Sequence, residues 1–164
     1  MTARHLLSSL FGRTASAVAA QATAHESPSN GQDTSRMVLS DEQWRARLSP
    51  QAYEVLRREG TERSFTSELN DEKRAGTYHC AGCDQPLFDA DMKFDSGTGW
   101  PSFFTARPGA LETRTDYKLI LPRTEYHCSR CGGHHGHVFD DGPAPTGQRY
   151  CNNGVALRFQ PAEG

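Results

Sequence analysis

Five cysteines, spaced as two CxxC pairs and one lone residue, set the first boundary on this sequence. Cys80 and Cys83 form one pair, Cys128 and Cys131 the other, and Cys151 stands by itself. An odd number cannot close through intrachain disulfides alone, so the set divides into four plus one. Two CxxC pairs beside short β-rich segments supply what a tetrahedral zinc with four thiolates requires, because each pair chelates from one tight turn and the pairs converge from distant positions. Gly82, Gly132 and Gly133 allow backbone amides to turn toward sulfur and offset the negative charge of a tetrathiolate. The 44 residues from 84 to 127 exceed the spacing of a short finger, so the expected metal staples two parts of a domain. With no open coordination position, it is structural. Two disulfides and a redox CxxC are the alternatives, although the βαβ context of a redox CxxC is missing.

The rest of the composition is that of an ordinary soluble chain. In 164 residues, 18 Lys and Arg stand against 20 Asp and Glu, for a formal charge of −2. That length suits one domain. No stretch approaches the roughly 18 consecutive apolar residues of a membrane span, so no membrane role is expected. Between Cys80 and Cys131 the charges sum to −1, from six Lys and Arg and seven Asp and Glu, which opposes phosphate binding and a nucleic-acid partner.

Residues 1–25 contain no acid, two arginines and many Ser, Thr and Ala, with a short apolar run at Leu6, Leu7, Leu10 and Phe11. This reads either as a weak export signal or organelle presequence, with Ala20-Gln21-Ala22 as a cleavage candidate, or as a plain tail. The compartment is left open between cytoplasmic and exported or organellar. Residues from Glu26 to Arg36 read as linker. The expected division is a tail over 1–39 and a folded domain over 40–164.

Ser40-Asp41-Glu42 marks a helix start, with Ser40 as cap and Trp44 and Leu48 on one face. Ser49-Pro50 starts a second helix with Tyr53 and Leu56 on one face and Gly60 beyond its end. From Thr77 onward, brief β-rich runs lie between Gly, Pro and Asp: Thr77–His79, Met92–Phe94, Tyr117–Leu121, Glu125–His127, His137–Phe139 and Val155–Phe159. The fold class is therefore mainly β, with two antiparallel sheets in a barrel-like or sandwich core behind short N-terminal helices.

Cys151 sits in a polar setting, after Gly147-Gln148-Arg149-Tyr150 and before Asn152-Asn153. In a strand, Arg149 shares its face, and a cation eases thiol ionisation. His134 and His137 come from Gly133-His134-His135-Gly136-His137, and imidazole exchanges protons near neutrality. Thiol, imidazoles and arginine form a plausible nucleophilic set. Each has a plainer reading as a buried small thiol, a hydrogen-bonded histidine or an arginine paired with an acid. His135 carries no argument of its own and is expected to face outward. The segment 96–104, with Gly97, Gly99 and Pro101 around Trp100, reads as an irregular loop whose indole either covers the core or walls an apolar pocket suited to a methyl or thioether group.

These motifs together are similar to the methionine-R-sulfoxide reductase B family. The resemblance rests on the CxxC pairs, on SGTGWPSF at 96–103 and on CGGHHGHVFDDGPAPTGQRYCNNGVALRF from Cys131 to Phe159. It implies a mainly β fold of two antiparallel sheets, with one structural Zn2+ held by Cys80, Cys83, Cys128 and Cys131 on the side away from the catalytic centre. It also implies reduction of methionine (R)-S-oxide, in proteins or peptides, by a repair enzyme. By motif, Cys151 corresponds to the nucleophile and His134 and His137 to the histidines beside it. Asp141 and Arg149 match residues that organise water and polarity near the sulfoxide oxygen, and Asn153 matches an asparagine of the same site. Trp100 corresponds to the aromatic wall for the substrate methyl, and Phe139 to an apolar neighbour. The expected product on the protein is a Cys151 sulfenic acid, and a monomer is expected.

Thr98 stands where many relatives carry a resolving cysteine; with the four CxxC cysteines assigned to zinc, no thiol remains within the chain to capture the sulfenic acid, which implies regeneration by an external thioredoxin-like or small-thiol reductant. His135 and Gly154 occupy positions where relatives commonly have Leu and Ser. Two other classes compete: a zinc-ribbon binding module, and a zinc-linked redox sensor that ejects its metal. Neither requires Cys151, both histidines and the Trp100 loop together.

Overall fold

The structure is a computed structural model that describes residues 35–164, so the possible targeting segment over 1–25 and most of the linker lie outside the described residues. Helix α1 (Asp41–Arg47) begins as its sequence predicts: the Ser40 hydroxyl accepts from the Gln43 amide, and the Gln43 side-chain oxygen accepts in turn from the Ser40 amide. Helix α2 (Pro50–Arg58) starts at Pro50 behind the Ser49 cap. Trp44, Leu48, Ala52, Tyr53, Val55 and Leu56 are all buried. Burial of side chains the size of Val55 or Leu56 contributes about 1.5–3 kcal/mol each. The left-handed residue that ends α2 is Glu59, at φ 56°, rather than Gly60.

Strands β1 (Gly76–Cys80), β2 (Pro86–Asp89), β3 (Lys93–Phe94), β4 (Ser102–Phe103), β5 (Leu111–Asp116), β6 (Arg123–Cys128), β7 (His134–Phe139), β8 (Arg149–Asn152) and β9 (Leu157–Pro161) follow. They form two antiparallel sheets, a three-stranded one in the order β2-β1-β9 and a six-stranded one in the order β3-β4-β8-β7-β6-β5. Each order is linear, so neither sheet closes into a barrel. Aromatic rings from both sheets fill the space between them. Phe88 stacks on Phe103 at 4.0 Å, Tyr78 meets Phe103 edge-on at 5.0 Å, and Tyr126 meets Tyr150 edge-on at 5.3 Å.

Three local expectations change. The apolar run Tyr117–Leu121 is not a strand: β5 stops at Asp116, whose carboxylate accepts the Lys118 amide at 2.9 Å and turns the chain over. The run predicted to start at Val155 begins with a 3₁₀ turn over Gly154–Ala156 before β9. In the Trp100 segment, Ser102 and Phe103 enter the large sheet as β4, although Gly97 and Gly99 do take positive φ.

The register of the large sheet creates the relationship on which the candidate site depends. Ser102 on β4 pairs with Cys151 on β8, Cys151 with His137 on β7, His137 with Glu125 on β6, and Glu125 with Arg114 on β5. Directly opposed residues share one face with Cβ atoms about 4.5–5.5 Å apart. A single row of polar and titratable side chains therefore crosses five strands.

Candidate active site and metal centre

The two CxxC turns are built alike. After the second cysteine of each, one residue takes left-handed backbone, Asp84 at φ 66° and Gly132 at φ 68°. Each donates its amide at 2.8 Å to the carbonyl of the first cysteine, Cys80 or Cys128. The helices hold these turns from outside: Arg47 Nε donates to Gly82 O at 2.6 Å, and Arg57 donates to Cys131 O at 3.0 Å. All four cysteines are free and buried, with their Sγ atoms within 4.8 Å of one another. Cys80 Sγ lies 3.6 Å from Cys131 Sγ, and Cys83 Sγ 3.5 Å from Cys128 Sγ. Bonds of about 2.3 Å to a tetrahedral zinc give S···S edges of about 3.8 Å, so the residues fit that ion. Their own chemistry points the same way. Hydrogen bonds from its neighbours push the Cys83 thiol down while Cys80 and Cys128 are pushed up, so four thiolates need a cation to coexist.

The fifth cysteine lies apart, in β8, half-buried. It opens on a cavity of about 120 Å³ whose lining includes Trp100, His137, Phe139, Asn153 and Arg123. A larger cavity of about 550 Å³ lies against Trp100 and Pro101, but its lining does not include Cys151. Five predicted site residues thus surround one space: Cys151, Trp100, His137, Phe139 and Asn153. His134, Asp141 and Arg149 are not part of its lining. The His134 ring is 5.5 Å from the His137 ring. Arg149 forms a two-pronged pair with Asp141 at 2.8 and 2.9 Å, and its guanidinium lies 4.4 Å over the Phe139 ring.

Burial raises the Cys151 thiol above its ordinary range, while the Arg149 charge and a hydrogen bond from Thr98 pull the other way. The Thr98 hydroxyl is itself held by Ser96 at 2.8 Å, and Ser96 also contacts Ser102 at 2.7 Å.

Both histidines are anchored by carboxylates the sequence did not single out. Glu125, itself buried, lies 2.6 Å from His134 Nδ1 and also pairs with Arg114. Asp116 lies 2.8 Å from His137 Nε2 and 2.8 Å from Arg123. The Lys118 amide first, then His137, hold the Asp116 carboxyl well below the usual range. Burial lowers His134 while Glu125 opposes that shift. Such carboxylate–imidazole pairs fix ring orientation and tautomer.

Glu62 is a third missed residue. Its carboxylate accepts the Gly154 amide at 2.6 Å and the Val155 amide at 2.9 Å. Its own amide donates to Asn153 Oδ1 at 2.9 Å, and its carbonyl accepts from Trp100 Nε1 at 3.1 Å. Asn153 Nδ2 also donates to His135 O at 2.8 Å, so both ends of this amide are held by protein. One acid-bearing loop thereby fixes the indole and the asparagine on the same wall. Gly154 suits that corner, because a Cβ there would lie 1.9 Å from Ser67 Oγ.

His135 does not face outward. It is fully buried, with Nε2 3.4 Å from Cys80 Sγ and Nδ1 3.4 Å from Asn152 Oδ1, and burial pushes it down to about 3. The reason is that β7 packs against α2 as well as lying within the sheet, so its first three residues are buried whichever way they point.

Comparison with known proteins agrees with this architecture. A family profile described as the SelR domain matches residues 48–161. The chain is 56% identical over 126 residues to "Peptide methionine sulfoxide reductase MsrB" of Pseudomonas putida (strain W619), covering 75% of this chain and 93% of that protein. It is 51% identical over 135 residues to the protein of the same name from Leifsonia xyli subsp. xyli (strain CTCB07), covering 81% and 97%. Against "Peptide methionine sulfoxide reductase B1, chloroplastic" of Arabidopsis thaliana it is 49% identical over 126 residues, 76% of this chain and 62% of that one. On a profile spanning most of its length and on relatives at this identity, the chain belongs to the methionine-R-sulfoxide reductase B family, that of the SelR domain.

Proposed function

We propose that the protein reduces methionine (R)-S-oxide, carried in peptides or proteins, to methionine through a sulfenic acid on Cys151. The observation that supports this most is that one small cavity presents a free thiol, an imidazole, an indole and a phenyl ring together. Trp100 and Phe139 offer apolar surface to the substrate methyl and methylene groups. His137, lining the cavity and held by Asp116, is the proton donor to the sulfoxide oxygen, which leaves poorly until protonated. His134, held by Glu125, stands behind it as a positioning residue. Asn153 shapes the wall, and Arg149 with Asp141 supplies positive potential and ordered polarity beside the thiol.

The step balances as an oxygen transfer. The substrate S–O bond breaks and an S–O bond to Cys151 forms, so methionine sulfur is reduced as cysteine sulfur is oxidised. A thiol of the reductant then attacks the sulfenic acid, releasing water and leaving a mixed disulfide. A second thiol cleaves that disulfide and restores Cys151. The reductant is external, thioredoxin-like or a small thiol, because the other four thiols are buried in one cluster and position 98 carries a hydroxyl.

The metal in this reading is one zinc on Cys80, Cys83, Cys128 and Cys131, which supplies a structural cross-link and no catalytic function. Thiol counting tests the cycle. After one equivalent of substrate without reductant, Cys151 alone is lost to thiol reagents and a sulfenic acid trap labels it. An intrachain disulfide to Cys151 contradicts it.

A further inference from the structure

We propose that the turn between β5 and β6, residues 117–122, is a docking surface for the apolar polypeptide that flanks an oxidised methionine. This rests on the proposed reaction and extends it from the sulfoxide to its surroundings. Tyr117, Leu119, Ile120 and Leu121 are 75%, 58%, 100% and 76% exposed, the densest run of solvent-facing apolar side chains among the described residues. They fill no core, and a contiguous apolar patch of this kind marks an interaction site.

The turn is rooted in the cavity. It leaves β5 at Asp116, which bonds His137, and re-enters β6 at Arg123, which lines the same space as Cys151. Asp116 and Arg123 pair across the ladder, so the base of the turn lies beside the cavity. The pairing of Lys118 with Glu59 ties the turn back to the end of α2, so the apolar side chains are presented on a braced support.

The occupant follows from the size of the cavity and the chemistry of methionine. About 120 Å³ is well below the roughly 300 Å³ at which pockets for drug-sized ligands begin, so it encloses a side chain and leaves the backbone that bears it on the rim. Methionine is mostly a core residue, and its oxidation disrupts the packing around it. A chain segment bearing the sulfoxide therefore exposes apolar neighbours, which complement Leu119, Ile120 and Leu121.

The test compares the wild type with the triple variant L119S/I120S/L121S, driven by dithiothreitol and, in parallel, by thioredoxin. The substrates are a peptide with one methionine-R-sulfoxide among leucines and phenylalanines, the same peptide with serines there, and N-acetyl-methionine-R-sulfoxide. The expected result is that wild type prefers the apolar peptide and the variant loses about tenfold of that preference, chiefly through KM, equivalent to one partly covered leucine. Turnover of the acetylated amino acid stays unchanged. An unaltered peptide preference overturns the proposal, as does an equal loss on all three substrates. A defect confined to thioredoxin-driven turnover assigns the surface to the reductant, and loss of a dimer in sedimentation assigns it to a second copy; either also overturns it. Wild type inert on every substrate would instead refute the proposed reaction itself.

Discussion

Cys151 lies directly across the β7–β8 ladder from His137, and the same transverse row continues through Glu125 to Arg114. A thiol and an imidazole held this way need no loop to bring them together. Their separation is a property of sheet register, which a one-residue slip would abolish by turning one side chain to the opposite face.

That register depends on Gly136. A Cβ there would lie 1.8 Å from the carbonyl oxygen of Cys151, a backbone atom that cannot swing away. Gly136→Ala is expected to cost more than about 3 kcal/mol and to give little soluble protein. Thermal unfolding of any soluble fraction checks this, and a variant of wild-type Tm would show that β7 and β8 are less closely apposed.

Burial raises the Cys151 thiol, so the free protein is expected to hold it mainly protonated at neutral pH. Alkylation by iodoacetamide should therefore climb with pH past the ordinary thiol range, about 8.5. Removing the nearby positive charge in Arg149→Gln shifts the midpoint higher still. A midpoint near neutrality in the wild type would contradict this, as would a downward shift in the variant.

Glu125 acts through His134. Glu125→Gln keeps a hydrogen-bond acceptor but removes the charge, and kcat is expected to fall about tenfold, below the 10²–10⁴ that a lost proton donor costs. KM should hardly move. The kcat–pH profile is the discriminating readout: its alkaline limb, where the imidazolium gives up its proton, should shift to lower pH, because the imidazolium loses its counter-charge. An unchanged profile would reduce Glu125 to a structural residue.

Glu62→Gln loosens the turn at Gly154 and Val155 by weakening two charge-assisted bonds, at a cost of about 2 kcal/mol. The Glu62 backbone, which bonds Trp100 and Asn153, is then less firmly anchored, so KM should rise more than kcat falls. A proportionate loss of kcat with constant KM would place Glu62 in the chemistry instead.

For the metal, about one zinc per chain is expected by elemental analysis. Cys128→Ser should lose it together with a large part of the thermal stability. Full zinc content combined with full stability in that variant would reject the four-thiolate centre.

Much of this was legible in the sequence because the relevant physics is local. The CxxC turns chelate from four consecutive residues, and Ser40 and Ser49 cap the helices they precede. What stayed hidden depends on distant chain segments. Glu62 meets Asn153 from 91 residues away, and Asp116 and Glu125 reach the histidines only through strand pairing. Nothing local in the sequence spoke for His135, which is buried because α2 covers β7. The run 117–121 has strand-like composition, but the Asp116 turn directs it into solvent.

The most direct measurement is a dithiothreitol-driven assay on separated R and S epimers of a methionine sulfoxide peptide, with wild type and Cys151→Ser side by side. Turnover of the R epimer by wild type, none of the S epimer, and complete loss in Cys151→Ser with zinc retained is the predicted result. R-epimer turnover that survives removal of the Cys151 sulfur would contradict the account.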